Sequence, residues 1–201
     1  MEGYRGDERH VEDRMTVPMD LSSAWDVLEG VNLPNGYRVE ITDGKIIMTP
    51  RGEWPWKVIL RAAPQIEQQL AGHGEILSDV MIDFPSSLYG YAPDLAIVAP
   101  GSERNNRGRF EWHSLEAVLE IVSLSTRDND FEKKLRMYAA CAIPLYVIID
   151  PSENVCVVHS APARTGVYTD QERIPFGEDL TLPLEGREIV VRTDGFPRSE
   201  S

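Results

Sequence analysis

Apolar and polar positions change period several times along the chain, and each change marks an element. Tyr37 to Thr42 and Lys45 to Thr49 are short β-type runs on either side of Asp43-Gly44, the pattern of a two-residue hairpin. Trp56 to Leu70 has helical period, with Ile59, Ala63, Ile66 and Leu70 on one face. Pro64 should kink or split that helix, and Ala71-Gly72 with Gly74 should end it. Glu75 to Phe84 alternates through Ile76, Ser78, Val80, Ile82 and Phe84, which predicts one strand. After a loop from Pro85 to Gly90, Asp94 to Ala99 reads as a strand, and a polar loop runs from Pro100 to Arg109. Ala117 to Val122 is apolar on both faces, as in a central strand.

A second helical period follows. Phe131, Leu135, Tyr138, Ala139 and Ala142 share a face, Ser125 or Thr126 can cap the helix, and Asp128 and Asp130 suit its first turn. Ile143-Pro144 stops it. Leu145 to Ile149 predicts another central strand, Pro151 to Asn154 a turn, and Val155 to His159 its hairpin partner. Val167 to Ile174 and Thr181 to Arg192 read as further strands. Upstream, Met1 to Val17 is charged and has no apolar period, as in a mobile tail, and Ser22 or Ser23 could open a short helix carrying Trp25 and Leu28 up to Gly30. The chain therefore reads as one domain over 18–195, with tails at 1–17 and 196–201. Its class is α/β or α+β: a central mixed β-sheet flanked by helices, with an N-terminal hairpin and C-terminal antiparallel strands.

Composition narrows the functional classes. The 201 residues are 42% hydrophobic and 26% charged, ordinary for a globular domain with a sizeable core. No apolar run approaches the roughly 20 residues of a membrane span, and the N-terminal stretch lacks the apolar core of a secretory signal, so a cytoplasmic protein is expected. Cys141 and Cys156 read as buried free thiols, and His10, His73, His113 and His159 have no metal-ligand spacing. A formal charge of −13 argues against tight non-specific binding of duplex nucleic acid. It leaves room for a local basic patch, for which Arg104, Arg107 and Arg109 are the candidates.

Two carboxylates change the picture. Glu120 interrupts the apolar run Ala117 to Val122, and Asp94 follows Pro93 at the start of Leu95 to Val98. A carboxylate inside a buried strand is costly unless compensated, and a metal ion is one compensation. Hard cations such as Mg2+ or Mn2+ take oxygen ligands and keep several waters. Asp94, Glu120 and the carbonyl of Ile121 are suitable donors, and such an ion is what phosphodiester hydrolysis requires. Glu120 could instead be buried against an arginine, and Asp94 could be a strand-entry turn residue. On the following helix Lys134 lies ~80° from the centre of the buried face, at its margin, whereas Lys133 points to solvent. Lys134 is therefore the candidate for orienting water or stabilising a phosphoryl group, although a plain helix pair with Asp130 is also open. Glu40, inside the first hairpin strand, could be simply an outward-facing residue of an alternating strand.

Taken together, these residues resemble a known family. Pro93-Asp94, Glu120-Ile121-Val122-Ser123-Leu124-Ser125-Thr126, then Asp130, Lys134, Tyr138, Pro144, Tyr146 and Asp150 are similar to the Uma-type restriction endonucleases of the PD-(D/E)XK nuclease superfamily. Tyr37 to Ile46 resembles the N-terminal Tyr-x-x-Glu…Asp-Gly hairpin of that family. The resemblance spans roughly Trp25 to His159. It implies a restriction-endonuclease-like fold with the metal site at one end of the sheet, Asp94 and Glu120 as metal carboxylates, and Glu40 as an auxiliary acid. Position 122 is valine, so the strict Glu-x-Lys pattern is absent and Lys134 on the helix stands in for that lysine. The implied activity is metal-dependent cleavage of DNA; because a duplex has two strands to cut, a homodimer is expected. The competing expectation is a catalytically silent dimer of the same fold with a binding or regulatory role.

Overall fold

The structure, a computed structural model, describes residues 36–85, 89–122 and 129–198. The expected N-terminal tail, the short helix around Trp25 and the caps Ser125 and Thr126 lie outside the described residues.

The chain forms a mixed α+β fold. It opens with the hairpin of β1 (Tyr37–Thr42) and β2 (Lys45–Pro50), paired from Tyr37↔Pro50 to Thr42↔Lys45. Asp43 and Gly44 both have positive φ, 53° and 69°, as a two-residue turn of matching twist requires. The helix α1 (Glu53–Leu70) is continuous through Pro64, so the expected split does not occur. The carbonyl that proline leaves unbonded belongs to Leu60, on the exposed side of the helix, where water can serve it. Val58, Ile59, Ala62, Ile66 and Leu70 form the buried face, and Ala71 closes the helix in the left-handed region.

The alternating run Glu75 to Phe84 is not one strand. β3 (Glu75–Leu77) and β4 (Ile82–Asp83) belong to different sheets. The break falls at Asp79, whose φ is 55°, and its N–H donates to the carbonyl of Pro93 at 3.0 Å. Side-chain alternation was intact, but it carries no information about which partner each half pairs with. β5 (Gly90–Tyr91) joins β4 and β1 in the sheet β2-β1-β5-β4.

The central sheet adds β6 (Leu95–Val98), β7 (Leu115–Ile121), β8 (Leu145–Asp150), β9 (Val155–Ala163) and β10 (Val167–Pro175), in the order β10-β9-β8-β7-β6-β3. Only β7 and β8 run parallel. Every residue of β6, β7 and β8 is buried, as in a sheet covered on both faces. One face carries Leu95, Ile97, Leu119 and Val147 against α1 and the hairpin of β11 (Asp179–Leu184) and β12 (Arg187–Arg192). The side-chain amides of Gln65 and Gln69 bond the backbone of Arg192 and Val190, covering the edge of β12. Phe196, expected to begin a tail, is buried edge-on to Phe176 at 5.3 Å. The other face packs on α2 (Leu135–Ala140) and on Phe84, Tyr91 and Tyr138.

The expected second helix is shorter than its pattern. Residues Asn129–Lys134 form a wide π-type turn, α2 covers only the six residues after it, and Ala142 is exposed with φ 56°. Bonds of the i→i+5 type widen the turn and shift the phase of each side chain.

Candidate active site

The pairing of Leu95 with Leu119 sets Asp94, one residue earlier, opposite Glu120, one residue later. Leu95, Ile97, Leu119 and Ile121 are committed to the α1 core, so alternation turns Asp94 and Glu120 to the opposite face. Both are buried, at 1% and 0% exposure. Strand β1 lies over the same place and contributes Arg38 and Glu40, two residues apart and therefore on one face. The wide turn contributes Asp130 and Lys134, and α2 contributes Tyr138.

Two cations tie these acids together. The Arg38 guanidinium donates from Nε to Asp79 Oδ1 at 2.9 Å, from Nη1 to Glu120 Oε2 at 3.4 Å, and from Nη2 to Asp94 Oδ1. The other Asp94 oxygen accepts from the Ile121 N–H at 2.7 Å. Lys134 Nζ lies 2.9 Å from Glu120 Oε1, 2.9 Å from Glu40 Oε1 and 3.3 Å from Asp130 Oδ1. Its ammonium also stands 5.5 Å from the centre of the Tyr91 ring. The Tyr138 hydroxyl donates to Glu120 Oε1 at 3.0 Å. Two cations thus face five carboxylates, those of Glu40, Asp79, Asp94, Glu120 and Asp130. Asp79 is shared with the half-exposed Arg51 at 3.5 Å.

Burial sets the protonation tendencies. It pushes the Asp94 carboxyl up to about 6; Arg38 opposes the shift and Glu120 adds to it. For Arg38, burial acts to lower the pKa, but Asp94, Glu120 and Glu40 outweigh it and raise the group above its ordinary value. Lys134 behaves alike: burial acts to lower it, and Glu120, Glu40 and Asp130 carry it well above the ordinary lysine range. Both cations therefore stay charged. The Tyr138 hydroxyl is raised, first by burial and then by Glu120, and so remains a donor.

Set against the sequence, the structure brings Glu40, Asp94, Glu120 and Lys134 into one cluster. Two details go beyond what the sequence decided. Lys134 is fully buried at 1% exposure instead of marginal, because the wide turn alters the helical phase. Glu40 faces inward at 6% exposure, because β1 is covered on the face where an open hairpin would be wet. Lys133 is exposed and pairs with Asp43 at 3.1 Å. The arginine that could bury Glu120 exists, and it is Arg38. Arg38 and Asp79 are the residues sequence reasoning missed. The signal for Arg38 was its spacing two before Glu40, on the same face of an alternating strand. Asp79 had none, since its place depends on the chain bend. Arg104, Arg107 and Arg109 are not brought to the carboxylates. Their loop follows β6 at the end away from Asp94, where Arg104 bonds Glu75 at 3.0 Å and lies 4.2 Å over the Phe110 ring, and Arg109 bonds Asp83 at 3.2 Å.

The donors fit a hard divalent ion in kind. Asp94 and Glu120 are adjacent carboxylates, and the Ile121 carbonyl lies on the same side of β7 as its N–H, which reaches Asp94. A magnesium-type ion completes such a set with water. Among the described residues no three acidic, histidine or cysteine side chains are grouped as a ready-made metal cage. In this structure the Arg38 guanidinium is the cation between Asp94 and Glu120.

The mixed sheet that carries the Asp94–Glu120 pair and Lys134 is of a nuclease-like fold by comparison with known proteins. A family model described as "Uma2: Putative restriction endonuclease" matches residues 25–192, and the chain belongs to that family. Among solved structures, the chain is similar to a putative nuclease belonging to DUF820 from Anabaena variabilis ATCC 29413, with a TM-score of 0.62 and 16% identity over 89% of this chain and 98% of that one. At that identity the likeness concerns the fold. No curated protein matches the chain. No helix of the described residues is long and apolar enough to cross a membrane.

Proposed function

We propose that the protein is a metal-dependent DNA endonuclease that hydrolyses phosphodiester bonds at the Asp94–Glu120–Lys134 cluster. The observation that carries this reading is the convergence of four separate elements on one buried acidic site that includes a charged lysine. Asp94, Glu120 and the Ile121 carbonyl would hold Mg2+ or Mn2+, which supplies charge neutralisation and a more acidic bound water. Lys134, kept protonated by its three carboxylates, can orient the attacking water or offset the charge that builds on phosphate oxygens. Glu40 shares the Lys134 ammonium and fixes its position. Arg104, Arg107 and Arg109 would serve as peripheral contacts to the DNA backbone. A cytoplasmic homodimer would match the two strands of duplex DNA.

Supercoiled plasmid and single-stranded DNA, incubated with Mn2+ or Mg2+, test the reading. Cleavage by the intact chain and its loss in Asp94→Asn, Glu120→Gln and Lys134→Met are expected. One observation favours a second reading. Both oxygens of Asp94 and of Glu120 already have partners within the protein, as in a silent nuclease-fold protein that binds without cutting. Absence of cleavage, together with absence of metal binding, would select that alternative.

A further inference from the structure

We propose that Arg38 is the resident counter-ion of the seat between Asp94 and Glu120, and that it gives up both carboxylates to an entering divalent cation while staying attached to Asp79. This rests on the metal-dependent reading above and concerns what the chain does when the ion arrives.

The seat needs a cation at all times. Asp94 and Glu120 stand opposite each other in register with almost no exposure, so two ionised carboxylates there repel at short range. Lys134 does not serve this purpose for the pair. Its ammonium is placed on Glu120, Glu40 and Asp130, on the other Glu120 oxygen from the one Arg38 holds. Among the described residues, Arg38 is the cation that reaches both Asp94 and Glu120. A planar guanidinium can bridge two carboxylates with separate nitrogens, a geometry that a lysine ammonium reproduces poorly.

The same oxygens are the ones a divalent ion would need. Adding that ion with Arg38 in place would set two cations against one face of the acidic pair, so occupancy is exclusive. An exit is built in. The Arg38 Nε bonds Asp79, whose side chain is 18% exposed, against 2% for Asp94 and 1% for Glu120. Asp79 is itself anchored through its N–H to the Pro93 carbonyl and shared with Arg51. Rotation of the guanidinium about the Asp79 contact takes the two Nη groups towards solvent and leaves Nε held. The chain thus keeps its carboxylates paired without metal, and keeps a positive group at the mouth of the site when metal is bound.

Calorimetric titration of the full chain with Mn2+, without DNA and at fixed salt, tests this directly. Arg38→Gln should bind Mn2+ at least tenfold more tightly than the wild type. It should also melt lower without metal and regain more of its melting temperature with it. Equal or weaker Mn2+ affinity in Arg38→Gln would overturn the proposal. If that variant fails to fold, the wild type still decides: nitrogen-15 NMR of the arginine side chains during Mg2+ titration should show the Arg38 Nη groups freed at saturation and Nε–H retained. Saturable Mg2+ binding with the Nη signals unchanged overturns the role of Arg38 alone. No binding of either ion, by wild type or variant, and no cleavage defeats the metal-dependent reading and this proposal with it.

Discussion

Lys134 Nζ and Glu120 Oε1 lie 2.9 Å apart, both on side chains with almost no exposure. A lone exposed pair would be worth little, but here the buried ammonium also faces Glu40 and Asp130. The position that looked marginal on a helical wheel is among the most constrained in the chain.

Replacing Lys134 with Met should therefore do more than remove a reactive group. Glu40, Asp130 and Glu120 would each lose this buried cation, with Arg38 still on the other Glu120 oxygen, at a cost of about 3–5 kcal/mol. Urea unfolding should show that loss, and nuclease activity should vanish. Lys133→Ala is the contrast: its side chain is 57% exposed and pairs with Asp43 on the surface, so stability should move by less than about 0.5 kcal/mol and activity should persist. Equal losses in both variants would contradict the observed phase of the turn.

Tyr138→Phe separates hydrogen bonding from packing. The ring sits 4.9 Å from Tyr146 and 5.7 Å from Tyr91, and phenylalanine keeps those contacts. What disappears is the hydroxyl that donates to Glu120 at 3.0 Å. A bond to an ionised group of this kind contributes about 1.5–3 kcal/mol, which chemical denaturation can measure. A variant as stable as wild type would mean that Lys134 and Arg38 satisfy Glu120 by themselves.

Metal addition gives a third check. An ion that binds only the folded chain must raise its melting temperature by mass action. Millimolar Mn2+ or Mg2+ should raise that of the wild type, and Asp94→Asn should abolish the shift. Calcium should also raise it, because the donors are all oxygen.

Stability towards acid has a separate source, His159. Its ring packs beside Tyr146 and Tyr168, at centroid distances of 6.1 and 5.9 Å, and its Nε2 is buried without a partner among the described residues. Burial lowers its pKa below the ordinary value near 6.5. The unfolded chain then takes up the proton first, so the contribution is complete above pH 6.5 and is lost as pH falls from there through the folded-state pKa. His159→Phe should flatten that part of the melting-temperature profile relative to wild type. Parallel profiles between pH 6.5 and 5 would assign the acid sensitivity elsewhere.

Much of this protein was settled by local chemistry. Asp43-Gly44 closes a hairpin because both residues tolerate positive φ, and the spacing of Ile59, Ile66 and Leu70 makes one helical face whatever surrounds it. The runs Ala117 to Val122 and Leu145 to Ile149 read as buried strands, and carboxylates at 94 and 120 needed compensation wherever those strands lay. What compensates them was a tertiary decision. Arg38 reaches Asp94 and Glu120 across separations of 56 and 82 residues, which no local period encodes. The inward turn of Glu40 depends on what covers β1, the division of Glu75 to Phe84 on a bend at Asp79, and the burial of Lys134 on a turn wider than an α-helix. Periodicity describes how one segment sorts its own faces. Which face meets which, and which charge answers which, emerges only when the sheets are assembled and water is excluded from between them.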